Sequence, residues 1–101
     1  MPPFGASLQI LDDAAVVVVK GEVDLATAPD LAGRLEDAIA KTPQSVIVDL
    51  SKTSFFDCSG MHVIAEASKG MTSKLVIRHP RPFLAQVLRI LDFDDFCVIE
   101  D

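Results

Sequence analysis

The stretch SVIVDLSKTSFFDCSGM, Ser45 to Met61, changes character partway along. Ser45 to Leu50 is a short strand, apolar from Val46 onward apart from Asp49, of the kind that sheets bury on both faces. Ser51 to Phe56 leads into Asp57-Cys58-Ser59-Gly60. Val63, Ile64 and Ala67 then return at helical spacing, with Gly70 as the expected stop. A buried strand that runs into a helix predicts an α/β protein with parallel strands.

The flanks repeat the pattern. Leu8 to Ile10 reads as a short strand, Asp12-Asp13 as a turn, and Ala14 to Lys20 as a second strand buried on both faces. After Gly21-Glu22-Val23-Asp24 the period lengthens. Leu31, Leu35, Ala38 and Ile39 share one helical face, while Arg34, Glu36 and Asp37 take the other. Thr27 fits an N-cap with Asp30 at the third helical position, and Pro43 ends the helix. Downstream, Leu75 to Ile77 is a strand. Pro80 and Pro82 bracket a helix start whose face is Leu84, Val87, Leu88 and Leu91, and Phe96 to Ile99 is a last strand. Phe93 and Phe96 are expected to clamp that helix and strand. The order is β-β-α-β-α-β-α-β. It predicts one domain over residues 1–101, a small mixed and mostly parallel sheet with helices packed on it.

Composition narrows the function. The 101 residues carry nine Lys and Arg against fifteen Asp and Glu, a net charge of −6 with no basic run. Phosphate backbones repel such a chain, so direct nucleic-acid binding is not expected, and a basic protein partner suits it better. The opening Met1-Pro2-Pro3-Phe4-Gly5 lacks a basic region and an apolar core, so no secretory leader is expected. The longest apolar run, Ala14 to Val19, is too short to span a bilayer. A cytoplasmic protein without membrane contact is the expectation.

The chemistry concentrates at Asp57-Cys58-Ser59-Gly60-Met61, beyond the carboxyl end of a buried strand, where open α/β sheets collect functional groups. Ser59 would cap the following helix, and the free N–H groups and helix dipole there suit a phosphate. Phosphorylation would add charge at one exposed spot, beside the like charges of Asp57 and Asp24. The plain alternative is a structural cap and nothing more. A hydrolase reading has residue types available in Ser59, Cys58, His62, His79 and Asp24. It lacks the G-x-S-x-G context and any sign of an oxyanion hole. No nucleotide fingerprint or metal-ligand spacing is present, so no enzyme activity, cofactor or metal is expected.

Three segments together carry a resemblance: GEVDLATAPDL (Gly21 to Leu31), VIVDLSKTSFFDCSGM (Val46 to Met61) and HPRPFLAQVLRILDFDDF (His79 to Phe96). In this order they resemble the STAS family, and within it the bacterial anti-sigma factor antagonists, over about residues 8 to 100. Those proteins carry G-E-[LV]-D, a strand leading to D-S-S-G, and a Pro-initiated helix before a short final strand. The resemblance implies binding to an anti-sigma factor that is also a GHKL-type serine kinase, with release of a sigma factor. It implies phosphorylation of Ser59 as the off-switch and a phosphatase as the reset. Ser59 matches the acceptor serine, Asp57 the first motif position, and Asp24 the acidic residue of the G-E-[LV]-D motif. Asp24, Asp57, Cys58, Ser59, Gly60, Met61 and His62 are the expected partner-binding residues. Gly60 is assigned a backbone role that permits close approach.

Three departures stand out. Cys58 replaces the first, non-acceptor serine, and His62 stands where the family has a small glycine. The stretch between Gly60 and Leu75 is shorter by roughly one helical turn. Cys58 and Cys97 also raise a redox possibility, since a helix N-terminus favours thiolate and a disulfide would lock the surface. The alternative is two ordinary reduced thiols. A second binding-class reading keeps the STAS fold but places it in a stress-signalling assembly, binding a small ligand or other STAS proteins.

Overall fold

The computed structural model describes residues 3–101, and Met1 and Pro2, which the single-domain expectation included, lie outside the described residues. The order is β1 (Gly5–Leu11), β2 (Ala14–Val23), α1 (Ala28–Ala40), β3 (Ser45–Phe56), α2 (Cys58–Ser68), β4 (Leu75–Arg78), α3 (Pro82–Ile90), a single 3-10 turn (Phe93–Asp95) and β5 (Cys97–Glu100). The strands form one sheet in the order β1-β2-β3-β4-β5. The β1–β2 pair is antiparallel and every other pair is parallel. The element order and the mixed, mostly parallel sheet agree with the sequence pattern.

Sequential strand order has a consequence for layering. Each crossover steps the same way across the sheet, so right-handed connections put all three helices on one face. The core follows that geometry. Ala15, Val17 and Val19 of β2, Val46, Val48 and Leu50 of β3, and Leu75 and Ile77 of β4 join Leu31 and Leu35 of α1, Ile64 of α2, and Leu84 and Leu88 of α3 in one apolar cluster. Phe93 belongs to it, and its ring lies 4.9 Å from that of Phe96, the clamp expected at the last strand.

The other face of the sheet is a correction. Burial on both faces, expected for Ala14 to Lys20, holds at Val16, but among the described residues no helix covers the second face and Val18 there is only half-buried. A continuous row crosses it, Gln9, Val16, Ile47, Val76 and Val98, each in register with the next. Val16 and Ile47 fall to 5% and 7% exposure, although the main core cluster excludes them. Neighbouring side chains on the pleated surface bury them, so an apolar run alone does not reveal whether a second layer exists. A parallel row, Ser7, Val18, Asp49, Arg78 and Glu100, is mostly polar, and Arg78 bonds Glu100 at 2.9 Å.

Other differences are local. β2 runs to Val23 and β3 to Phe56, past the polar residues where both strands were expected to stop. Leu91 is exposed at the end of α3, and Ala85 takes its place on the buried face. Gly70 is not a left-handed stop, because Gly21 is the only glycine with positive φ among the described residues.

Gly21 and Gly33 separate two meanings of glycine. At Gly21 φ is +82°, and a Cβ would stand 2.9 Å from the Pro3 carbonyl oxygen. At Gly33, inside α1, a Cβ would meet nothing within 4 Å. Gly33→Ala is therefore expected to raise unfolding free energy by about 0.5–1 kcal/mol. Gly21→Ala should lower it by about 1–2 kcal/mol or more. Urea denaturation midpoints of the two variants check this, and a Gly21→Ala midpoint at or above wild type would refute the strained-turn reading.

Candidate functional site

The segments that precede α1 and α2 are brought together by irregularity in β3. Between Val18 and Lys20 β2 advances two residues while β3 advances three, from Asp49 to Lys52, and the excess recurs between Gly21 and Glu22. Such bulges twist a strand and re-aim its end. Here they set Val23 opposite Phe56, and the Asp57 N–H donates to the Val23 carbonyl at 3.2 Å. The Gly21-Glu22-Val23-Asp24 and Asp57-Cys58-Ser59-Gly60 segments thereby become neighbours although they lie far apart in sequence.

Each acidic residue of the pair stabilises its own turn. The Asp24 carboxylate accepts from the N–H groups of Ala26 and Thr27 at 3.0 and 3.1 Å. Thr27 holds the expected N-cap position of α1, but its hydroxyl makes no cap bond. It donates to the Glu22 carbonyl at 2.9 Å and accepts from the Asp24 N–H at 3.0 Å. Asp57, not Ser59, is the N-cap of α2, and its carboxylate accepts from the Ser59 N–H at 2.8 Å. The Gly60 N–H donates to the Asp57 carbonyl at 3.1 Å. Two of the N–H groups offered to a phosphate on sequence grounds are thus already engaged by Asp57. The cap assignment to Ser59 is corrected because a carboxylate two residues earlier satisfies the same orphan donors.

Freed from capping, Ser59 occupies the first turn of α2, half-buried. No hydrogen bond holds its hydroxyl among the described residues, and no fully buried polar side-chain atom lacks a partner. Its oxygen is therefore open to solvent. It lines a groove of about 430 Å³ between α1 and α2 with Leu25, Ala28, Pro29, Cys58, His62 and Val63. Leu25, at 82% exposure, is the most exposed large apolar side chain beside it. Sequence periodicity missed Leu25, Ala28 and Pro29. The available signal was an apolar Leu in a polar turn, off any core-facing period.

The remaining candidates separate. Gly60 is buried, and a Cβ there would stand 2.6 Å from the Phe56 ring and 2.8 Å from a Val23 methyl. Its close approach is made inward, to the sheet. Met61 is half-buried against the core, while Val63, placed in the core on sequence grounds, both packs there and lines the groove. No hydrogen bond links Ser59 to His62 or Asp24 among the described residues. His79 sits elsewhere, with its ring Nδ1 3.2 Å from the Asp101 carbonyl.

The cysteines also part. Both are free, Cys58 exposed and Cys97 buried. Cys97 pairs with Leu75 at the start of β4, in register with the start of β3, whereas Cys58 follows the end of β3. At roughly 3.3 Å per residue along the strand, the two lie at opposite ends of the sheet. The disulfide raised as a possibility is not compatible with this fold, and both thiols are free as the alternative had it. Burial pushes the Cys97 thiol up to about 11, so it stays protonated and unreactive.

This two-layer sheet, with an open serine at the start of the helix after its central strand, is the frame of a STAS domain. The family model described as STAS domain matches residues 6–101, and the chain belongs to that family. Among individual proteins, the chain is 33% identical over 55 residues to the anti-sigma-F factor antagonist RsfB of Mycobacterium tuberculosis. That match covers 54% of this chain and 45% of the relative, so the chain spans less than half the length of that protein. The crystal structure of an anti-sigma factor antagonist from Mycobacterium paratuberculosis has the same fold, at TM-score 0.82 and 22% identity over 97% of this chain and 86% of that one. The Bacillus cell fate determinant SpoIIAA in its phosphorylated form also shares it, at TM-score 0.68 and 16% identity over 98% and 92%.

Two sets of variants test the site's construction. Asp24→Asn keeps a carbonyl oxygen for the Ala26 and Thr27 N–H groups and is expected to be near neutral, whereas Asp24→Ala should cost about 1 kcal/mol. Gly60→Ala should cost more than either because it pries α2 from the sheet. Thermal melts rank the three, and a Gly60→Ala protein as stable as wild type is the outcome that rejects the packing role. Thiol alkylation supplies the second test. One cysteine should react in the native state and both after unfolding. Because the Cys97 thiol pKa is raised on folding, its contribution to stability should be present at neutral pH and fall as pH rises from its unfolded value toward 11. Cys97→Ala should lose that alkaline slope.

Proposed function

We propose that this protein is an anti-sigma factor antagonist. Its Ser59 groove docks an anti-sigma factor that is also a GHKL-type serine kinase, and docking frees a sigma factor for transcription. Phosphorylation of Ser59 by that kinase ends the interaction, and a phosphatase restores it. Such a cycle runs in the cytoplasm. Among the described residues no helix is long and apolar enough to cross a membrane.

The observation that carries the proposal is the unengaged Ser59 hydroxyl on an apolar groove, beside the protruding Leu25. An apolar surface with one open oxygen suits a partner that covers it tightly. A phosphoryl group brings about −1.5 to −2 charges to that spot. Asp57, two residues away, already occupies the Ser59 N–H with a like charge. A covering partner would press the added group toward that charge and strip its water, and both effects oppose docking. The named antagonists among the relatives and the phosphorylated SpoIIAA structure support the same reading.

Ser59→Ala should bind the anti-sigma partner and accept no phosphate. Ser59→Asp should bind it more weakly, by about tenfold or more. Calorimetry with a candidate kinase, together with mass spectrometry of the wild-type chain after incubation with that kinase and ATP, measures both effects. Equal affinity for both variants would exclude the switch. Recovery of large STAS assemblies without a kinase in pull-downs would favour the stress-assembly reading.

A further inference from the structure

The outer side of α3 carries two large apolar side chains beside the polar Gln86 and Arg89. Leu84, Ala85 and Leu88 are buried, yet Phe83 is 77% exposed and Ile90, seven residues later, is 71% exposed. Residues seven apart lie on one side of a helix, two turns from each other. Phe83 and Ile90 thus form a ridge, with the half-buried Val87 beside it. A groove of about 680 Å³ follows one flank, lined by Pro80, Pro82, Ala85, Arg89 and Ile90 among others. A smaller one of about 230 Å³ lies on the other, between Phe55, Arg81 and Phe83. Neither shares a residue with the Ser59 groove.

We propose that this face is a self-association surface on which α3 of a second copy packs antiparallel, about a two-fold axis between Gln86 and Val87. Under that symmetry Phe83 meets the partner's Ile90 and Arg81 meets the partner's Asp92, each contact occurring twice. The charges select this occupant. Arg81 donates from Nε to the Thr53 carbonyl at 2.9 Å but makes no salt bridge among the described residues, and neither does the exposed Asp92. They flank the two ends of one helix with opposite signs, which an antiparallel copy of that helix neutralises at both ends. Arg89 already bonds Asp101 at 2.9 Å, so it brings no unpaired cation to the contact. The Phe83–Ile90 ridge of each copy then lies along the reversed ridge of the other, which meets the self-complementarity that a two-fold interface requires. A nine-residue helix spans only about 13 Å. The contact is therefore small, and association is weak and reversible.

Sedimentation velocity on the full chain, from micromolar to millimolar concentration, tests this without any anti-sigma partner and independently of the Ser59 proposal. The wild type should shift from monomer to dimer as concentration rises. Ile90→Glu should raise the dissociation constant by about tenfold or more. Arg81→Glu and Asp92→Lys should each weaken the dimer, and the double variant should recover much of the loss because the reversed charges meet again across the axis. Thermal melts at low concentration establish that each variant is folded. A wild-type chain that stays monomeric to millimolar concentration overturns the proposal. So does a dimer indifferent to Ile90→Glu, or a double variant no better than the singles.

Discussion

The contact on which the site depends is the seating of Gly60 against the Phe56 ring and the Val23 side chain. It sets α2 close to the sheet at the point where β2 and β3 end side by side. The Asp57 N–H bond to the Val23 carbonyl crosses the same seam. Widening that seam by one methyl group would separate the segment carrying Asp24 and Leu25 from the segment carrying Cys58 and Ser59. The groove between α1 and α2 exists because these two segments are held at fixed spacing. Its apolar lining then follows from which side chains the two helix starts leave without a core neighbour.

Much of this frame is written in period and punctuation. Short apolar runs separated by 3.6-residue periodicity, with Pro29, Pro43 and Pro82 near helix boundaries, are local signals, and they located the three α-helices and five strands but not the 3-10 turn at Phe93–Asp95. What they could not express are pairings between distant residues. The bulges in β3 depend on how it matches β2, so the strand ends were misjudged at Leu50 and Lys20. The open second face was hidden for a related reason. Val16 and Ile47 are shielded by their neighbours across the sheet, and that shielding leaves the same apolar signature as a covering helix.

Within the site, the residue types were legible and their division of labour was not. Asp57 and Ser59 both suit an N-cap, and only the exit direction of β3 decides between them. The same holds upstream, where Thr27 has the sequence of a capping box but its hydroxyl is turned back to the Glu22 carbonyl, leaving Asp24 to satisfy the turn. Cys58 and Cys97 pose a three-dimensional question that spacing cannot answer. Only the parallel register of β3, β4 and β5 shows that the sheet keeps them apart.

The allocation of Asp57 to the cap bears directly on how a phosphate at Ser59 would act. Unpaired N–H groups at a helix start bind phosphate and can draw it onto the protein's own backbone. Here the Ser59 N–H is held by the Asp57 carboxylate and the Gly60 N–H by its carbonyl, so a phosphoryl group would have to displace existing bonds and approach a negative charge. An outward-facing phosphate avoids both penalties. In the proposed cycle its free-energy effect therefore falls on the complex and leaves the isolated domain nearly unchanged. A reversible switch needs that asymmetry, because the folded domain must survive both states while affinity for the partner changes between them.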